Sequence, residues 1–166
     1  MKRMKQISAF GLILLLFAAV AGAQSGSSEY SQSYVILMKG LPAGSERVTE
    51  NINDSGNVVS TSDHEIYITD GLETKRMAFS TRMVLAKGNW APTFYSYKYT
   101  TGNNPDGYEV TVQNGRIRRV LTRSGITNEI DVASPLNLAI VDFNVYHHYD
   151  YLVRRYDFKL GGRQVF

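Results

Sequence analysis

The 166-residue chain contains no cysteine, a single tryptophan and four prolines. Without thiols there is no disulfide staple and no thiolate metal site, so the fold rests on burial of its apolar side chains. The motifs that announce common chemistries are missing too. No Gly-x-Ser-x-Gly segment sets a serine on a nucleophile elbow. The glycines stand beside Asn, Asp and Ser in turn-forming pairs rather than between a strand and a helix, which removes a phosphate-cradling loop. Asn53-Asp54-Ser55-Gly56 lacks the alternating ligands and terminal Glu of a calcium loop and reads as a plain turn. No cofactor and no metal site is expected.

An excess of positive charge, 18 Lys and Arg against 15 Asp and Glu, gives a pI of about 9.1. Its source is local. Lys2, Arg3 and Lys5 form a basic head, followed by an apolar run from Phe10 through Leu16 and Phe17 to Val20 and then by Ala21-Gly22-Ala23. This is the order of a cleavable signal peptide over Met1–Ala23. The run is short for a membrane span, which takes about 20 apolar residues. Export to the periplasm or beyond is therefore expected, with cleavage before Gln24 and no stable membrane span afterwards. Once those three bases leave, the remainder is neutral, which argues against nucleic acid or an anionic membrane as partner. Taking 23 residues from 166 leaves 143, enough for one domain.

Gln24–Ser33 is rich in Ser, Gly and Gln and reads as a flexible lead-in to a single β-rich domain over 34–166. Tyr34–Lys39, apolar on both parities, predicts a strand covered on both faces. Strands over Ser45–Ile52 and Asn57–Thr69 follow. In Thr74–Lys87, Met77, Phe79, Met83 and Leu85 share one parity, with Arg76, Ser80 and Arg82 on the other.

Between Phe94 and Asp131 the register can be worked out by hand. Asn114-Gly115 and Ser124-Gly125 are two-residue hairpin signals. They set Val112 against Ile117, Val110 against Arg119, Tyr108 against Leu121, and Leu121 against Asn128. Tyr108, Val110, Val112, Ile117, Leu121, Ile126 and Ile130 then share one dry face, because a slip of one residue would turn each strand over. Arg116 and Arg118 fall on the wet face with Glu129 and Asp131, as a cross-strand charge network. A four-residue loop at Gly102–Pro105 would pair Tyr99 with Tyr108 and Tyr97 with Val110.

From about Phe143 to Tyr156 the period becomes helical. Val145, Tyr149, Leu152 and Tyr156 recur on one face, joined by His148 and Val153, while Asp150 and Arg154 form an i,i+4 pair outside. Beyond Gly161-Gly162, Arg163–Phe166 reads as the start of a strand, as in the N-terminal part of a longer protein.

The candidate site is the space between this helix and the dry face. Tyr95, Tyr97, Tyr108, Val110 and Ile117, with His148, would line it for an apolar small molecule, the phenolic rings offering apolar bodies and polar tips. The competing reading is a packed core. His147 and His148 are neighbours about 100° apart on a helix and cannot chelate one ion together. His147 with Asp150 at i,i+3 could orient an imidazole, but no nucleophile accompanies it.

The stretch from Leu41-Pro42-Ala43-Gly44-Ser45-Glu46 to Asn144-Val145-Tyr146-His147-His148-Tyr149-Asp150-Tyr151-Leu152 resembles the N-terminal β-rich region of exported bacterial α/β-hydrolase-like proteins. That resemblance implies an accessory domain without catalytic residues of its own, any hydrolase site lying beyond Phe166. The sheet pattern is also similar to the half-barrel of periplasmic lipoprotein carriers. The expected fold is thus mainly β, a curved antiparallel half-barrel of seven or eight strands packed on one C-terminal helix. Its expected role is that of an exported non-catalytic accessory domain of a secreted hydrolase-like protein or, alternatively, a carrier of a lipid or other apolar ligand. The partner is accordingly a following domain of the same protein or an apolar molecule.

Overall fold

A computed structural model describes residues 29–101, 104–142 and 145–165. The expected signal peptide, residues 24–28 of the lead-in and Phe166 lie outside them. The described chain is mainly β. Eight antiparallel strands run β1 (Tyr30–Met38), β2 (Leu41–Ile52), β3 (Val58–Asp70), β4 (Glu73–Leu85), β5 (Pro92–Thr101), β6 (Asn104–Gln113), β7 (Arg116–Arg123) and β8 (Ile126–Ala133), followed by the short helix α1 (His148–Arg155). The strands lie in one unclosed, curved sheet in sequence order, so every neighbour is a hairpin partner.

Local chemistry fixes this meander. Lys39-Gly40, Asn114-Gly115 and Ser124-Gly125 all carry positive φ at both positions. That is the demand of the type I′ turn, whose twist matches the strands it joins. The register across the last two turns is the one expected: Val112 faces Ile117, Tyr108 faces Leu121, and Leu121 faces Asn128. Between β5 and β6 the pairing is offset by two residues, with Tyr97 opposite Tyr108 and Tyr95 opposite Val110. A two-residue offset leaves every side chain on its expected face. Two bulges bend the sheet, at Ile36/Leu37 beside Pro42 and at Val84/Leu85 beside Pro92. Proline lacks the ladder N–H and is tolerated at such places.

The inner face carries the core in two clusters. Ile36, Ile66, Phe79 and Val145 form one, with Tyr97 and Tyr99 against it; Met83, Leu85, Tyr95 and Tyr151 form the other, with Trp90, Tyr108 and Val110 against it. Val145 and Tyr151 bring the helical segment onto β2–β5.

Several expectations need correction. β1 begins at Tyr30, inside the expected lead-in, and it is an edge strand with Val35 and Leu37 exposed rather than covered on both faces. α1 starts at His148, and Phe143 and Asn144 lie outside the described residues. Its buried residues are His148 and Tyr151, whereas Tyr149 and Val153 are more than half exposed. Polar groups on the sheet decide this rotation: Tyr151 donates to Glu50 Oε1 at 2.9 Å, and Arg154 reaches Glu50 Oε2 at 3.0 Å. Asp150 accordingly accepts from Tyr34 (3.2 Å) instead of pairing along the helix with Arg154. Finally, the dry face is not dry throughout, because every residue of β8 is exposed.

On the outer face the arginines are paired as expected in kind, Arg116 with Asp131 at 2.7 Å and Arg118 with Glu129 at 2.5 Å. Both pairs are exposed, and such pairs contribute little to stability.

Two substitutions should have opposite signs in urea unfolding. A Cβ on Gly107 would meet the carbonyl oxygen of Tyr97 at 2.2 Å, so Gly107→Ala should cost about 2 kcal/mol or more through displaced backbone. Ser124, with φ of 50°, should accept Asn with a gain of a few tenths of a kcal/mol, since Asn tolerates the left-handed region. A neutral Gly107→Ala would contradict the close β5–β6 approach.

Candidate functional site

Alternation along β2 turns Glu46, Val48 and Glu50 inward, and along β3 it turns Ser60, Ser62 and His64 inward. The β2–β3 register sets Glu46 opposite His64. The turn that leads into α1 then lowers His147 onto the same spot. The result is a carboxylate with no exposed surface flanked by two buried imidazoles. His147 Nδ1 hydrogen-bonds Glu46 Oε1, and His64 Nε2 lies 3.4 Å from the same oxygen. Ser62 Oγ is 2.8 Å from His64 Nε2 and 2.6 Å from Thr81 Oγ1. The His64 ring stacks on Phe79 with 4.2 Å between centroids.

Burying a charge without full compensation costs several kcal/mol, and this cluster is incompletely compensated. Glu46 Oε2, His64 Nδ1, His147 Nε2 and His148 Nε2 find no hydrogen-bond partner among the described residues. One ligand atom each from Glu46, His64 and His147 lies within 4.8 Å of the others, close enough for one cation to reach all three. Burial pushes His64 down from the ordinary imidazole range to about 4, against the upward pull of Glu46 and with a further push from His147.

A second polar knot adjoins it. Asp142 accepts from the hydroxyl of Tyr95 at 2.5 Å and from that of Tyr108. The Asp142 backbone N–H donates to His148 Nδ1 at 3.3 Å, which leaves the proton of the neutral ring on Nε2. Burial pushes His148 down to about 3, with smaller pushes from His147 and His64. Burial, and after it the Asp142 carboxylate, raises both tyrosine hydroxyls well above the usual phenol range.

The residues expected to line a ligand space are thus divided. Tyr95, Tyr108 and His148 meet around Asp142 as parts of the packed junction. Tyr97 is sandwiched between Phe79 and Tyr108, at 5.1 and 5.5 Å. Val110 packs beside Tyr95 in the core, and Ile117 stands apart on β7. Where Met83, Leu85, Trp90 and Tyr151 meet between sheet and helix the cavity is only about 10 Å³, about the least that holds one water. His147 pairs with Glu46 and not with Asp150.

The inner face changes character past β6. Ile126 is 74 % and Val132 47 % exposed, with Ile130 beside them and Ile117 and Leu121 half-buried. Leu121, Arg123, Ser124, Ile126 and Asn128 line an open cleft of about 340 Å³. By register Arg119 and Arg123 lie on this face, and neither has an ion-pair partner among the described residues.

Sequence reasoning missed Glu46, His64 and Asp142. The first two were recoverable by extending the pairing back from the Asn53–Asn57 turn, which sets a carboxylate opposite an imidazole on an inward row. Asp142 sits in an irregular segment with no periodicity to announce it. Comparison with known proteins finds no matching family model, no matching curated protein and no matching solved structure.

The buried imidazoles give stability a definite pH dependence in EDTA-containing buffer. His64 faces Glu46, Ser62, Phe79 and His147; His148 faces Tyr95, Tyr151, His147 and the Asp142 backbone. Both have folded values below the unfolded value of about 6.5, so the unfolded state binds more protons below that pH. Stability is therefore full above pH 6.5 and falls as pH drops, until about 4 for His64 and about 3 for His148. Urea midpoints between pH 7.5 and 5 should decline accordingly, and the decline should be shallower in His148→Asn. A midpoint that rises with acid over that window would contradict the buried neutral rings.

Proposed function

We propose that the domain, exported by the leader expected at Met1–Ala23, binds a long-chain carboxylate or similar lipid along the open half of its inner face, on β6–β8. The observation that carries this reading is the change in that face across the sheet. Over β2–β5 it is filled by the helical segment; over β7–β8 the same apolar row continues uncovered. An exposed apolar patch that keeps its pattern without an internal partner marks a binding surface. Arg119 and Arg123 supply the chemistry for an anionic end, in contrast to Arg116 and Arg118, which already hold carboxylates on the outer face.

A second reading has one observation in its favour. β8 is an edge strand whose eight residues are all exposed, and such an edge invites a further strand. On that reading a following, hydrolase-like domain of the same protein lies on β8 and the domain is its accessory part.

A fluorescent fatty acid titrated into delipidated protein separates the two. Saturable one-to-one binding is expected, weakened at least tenfold in a Leu121→Asp, Ile126→Asp double variant with an unchanged circular dichroism spectrum. Arg119→Glu should weaken it for the carboxylate but not for the corresponding alcohol. Absence of binding, or binding indifferent to all three changes, would overturn the lipid reading in favour of the accessory one.

A further inference from the structure

We propose that Glu46, His64 and His147 form a binding site for a divalent transition ion of the zinc class at the junction of sheet and helix. The site is independent of the lipid surface, which lies on other strands. Two histidine nitrogens from separate parts of the chain converge on one oxygen of a fully buried carboxylate, and all three ligand atoms lie within 4.8 Å. A tetrahedral ion with bonds of about 2.0–2.1 Å has ligand atoms about 3.3 Å apart; His64 Nε2 and Glu46 Oε1 are 3.4 Å apart, whereas His147 Nδ1 and Glu46 Oε1, now hydrogen-bonded, would separate by a small side-chain movement and release the proton between them to solvent as the ion enters.

Hydrogen bonding alone leaves this cluster badly served. Glu46 Oε2 is buried and has no hydrogen-bond partner among the described residues, although a carboxylate can accept several hydrogen bonds. An ion would take up the carboxylate charge, and Oε2 could join its coordination. Imidazole nitrogens with one carboxylate are zinc-class donors, while calcium takes six to eight oxygens and magnesium six near-ideal ones. One carboxylate with the hydroxyls of Ser62 and Thr81 cannot provide that. Three protein ligands leave a fourth position, which Ser62 Oγ, 2.8 Å from His64 Nε2, or a water can take. His148 stands outside the converging group, and with its Nδ1 accepting the Asp142 N–H its Nε2 carries the proton of the neutral ring; the ring stands edge-on to His147, 4.7 Å between centroids, and acts as a wall. The pairing of two β2–β3 residues with one at the start of α1 means that the ion would fasten the helix to the sheet.

The chain has three histidines, so an untagged, EDTA-treated sample gives three imidazole signals in a histidine-selective NMR spectrum. One equivalent of Zn²⁺ should move two of them, those lost in His64→Asn and His147→Asn, leave that of His148 nearly in place, and raise the thermal midpoint by several degrees. Co²⁺ should give the intense visible absorption of a four-coordinate ion. Glu46→Gln and His64→Asn should weaken Zn²⁺ binding at least tenfold, and His148→Asn should not. If those variants fail to fold, the wild-type imidazole shifts and the Co²⁺ spectrum still decide. No imidazole shift at one equivalent, or binding unaffected by the Glu46 and His64 changes in folded protein, would overturn the proposal and leave a proton-paired cluster only.

Discussion

The placement of Glu46 governs the rest of this structure. Its carboxylate lies on the inner row of β2 with no exposed surface, where an uncompensated charge would cost several kcal/mol. Part of the compensation comes from His147, about a hundred residues later, and α1 begins at the next residue. From there the other contacts follow in order along the segment: Asp150 to Tyr34 on β1, Tyr151 and Arg154 to Glu50 on β2. A purely apolar helix face could slide or rotate on the sheet with little loss. A row of polar groups, each with one partner, specifies a single seat.

The seat divides one sheet into two surfaces. Where the helical segment lies, the core is filled by Met83, Leu85, Tyr95 and Tyr151, and the buried polar groups gather in two knots around Glu46 and Asp142. Past β6 the segment has turned away, and the same inward row meets solvent. The uncovered end is the surface on which the proposed lipid binding rests. The covered end is a junction, and what it can hold is an ion rather than a molecule.

How far the sequence could be read follows from the same physics. The β6–β8 register was legible because two-residue turns leave no freedom: Asn114-Gly115 and Ser124-Gly125 fix which residues face each other. Before Tyr108 a four-residue loop was expected, but the ladder runs on to Thr101 opposite Asn104, which keeps the parity and shifts the pairing by two. His148 was placed on the buried face correctly, but Tyr149 and Val153 were put beside it and Tyr151 was left out, because the buried choice is set by hydrogen-bond partners on β1 and β2. Glu46 was invisible to alternation, since an acid in a strand reads as a solvated position. Only its pairing with His64, through a register that must be carried back from the Asn53–Asn57 turn, identifies it as buried. The exposure of Ile126 and Val132 was hidden for the converse reason: periodicity reports which side a residue faces, and it is silent on whether anything lies there.

The dependence of the helix seat on the Glu46–His147 contact is best measured by a double-mutant cycle of Glu46→Gln and His147→Asn in urea unfolding with EDTA present. The expected coupling is about 2 kcal/mol or more, because either change alone strands a buried polar partner and the second then adds little. Additivity to within about 0.5 kcal/mol would contradict it.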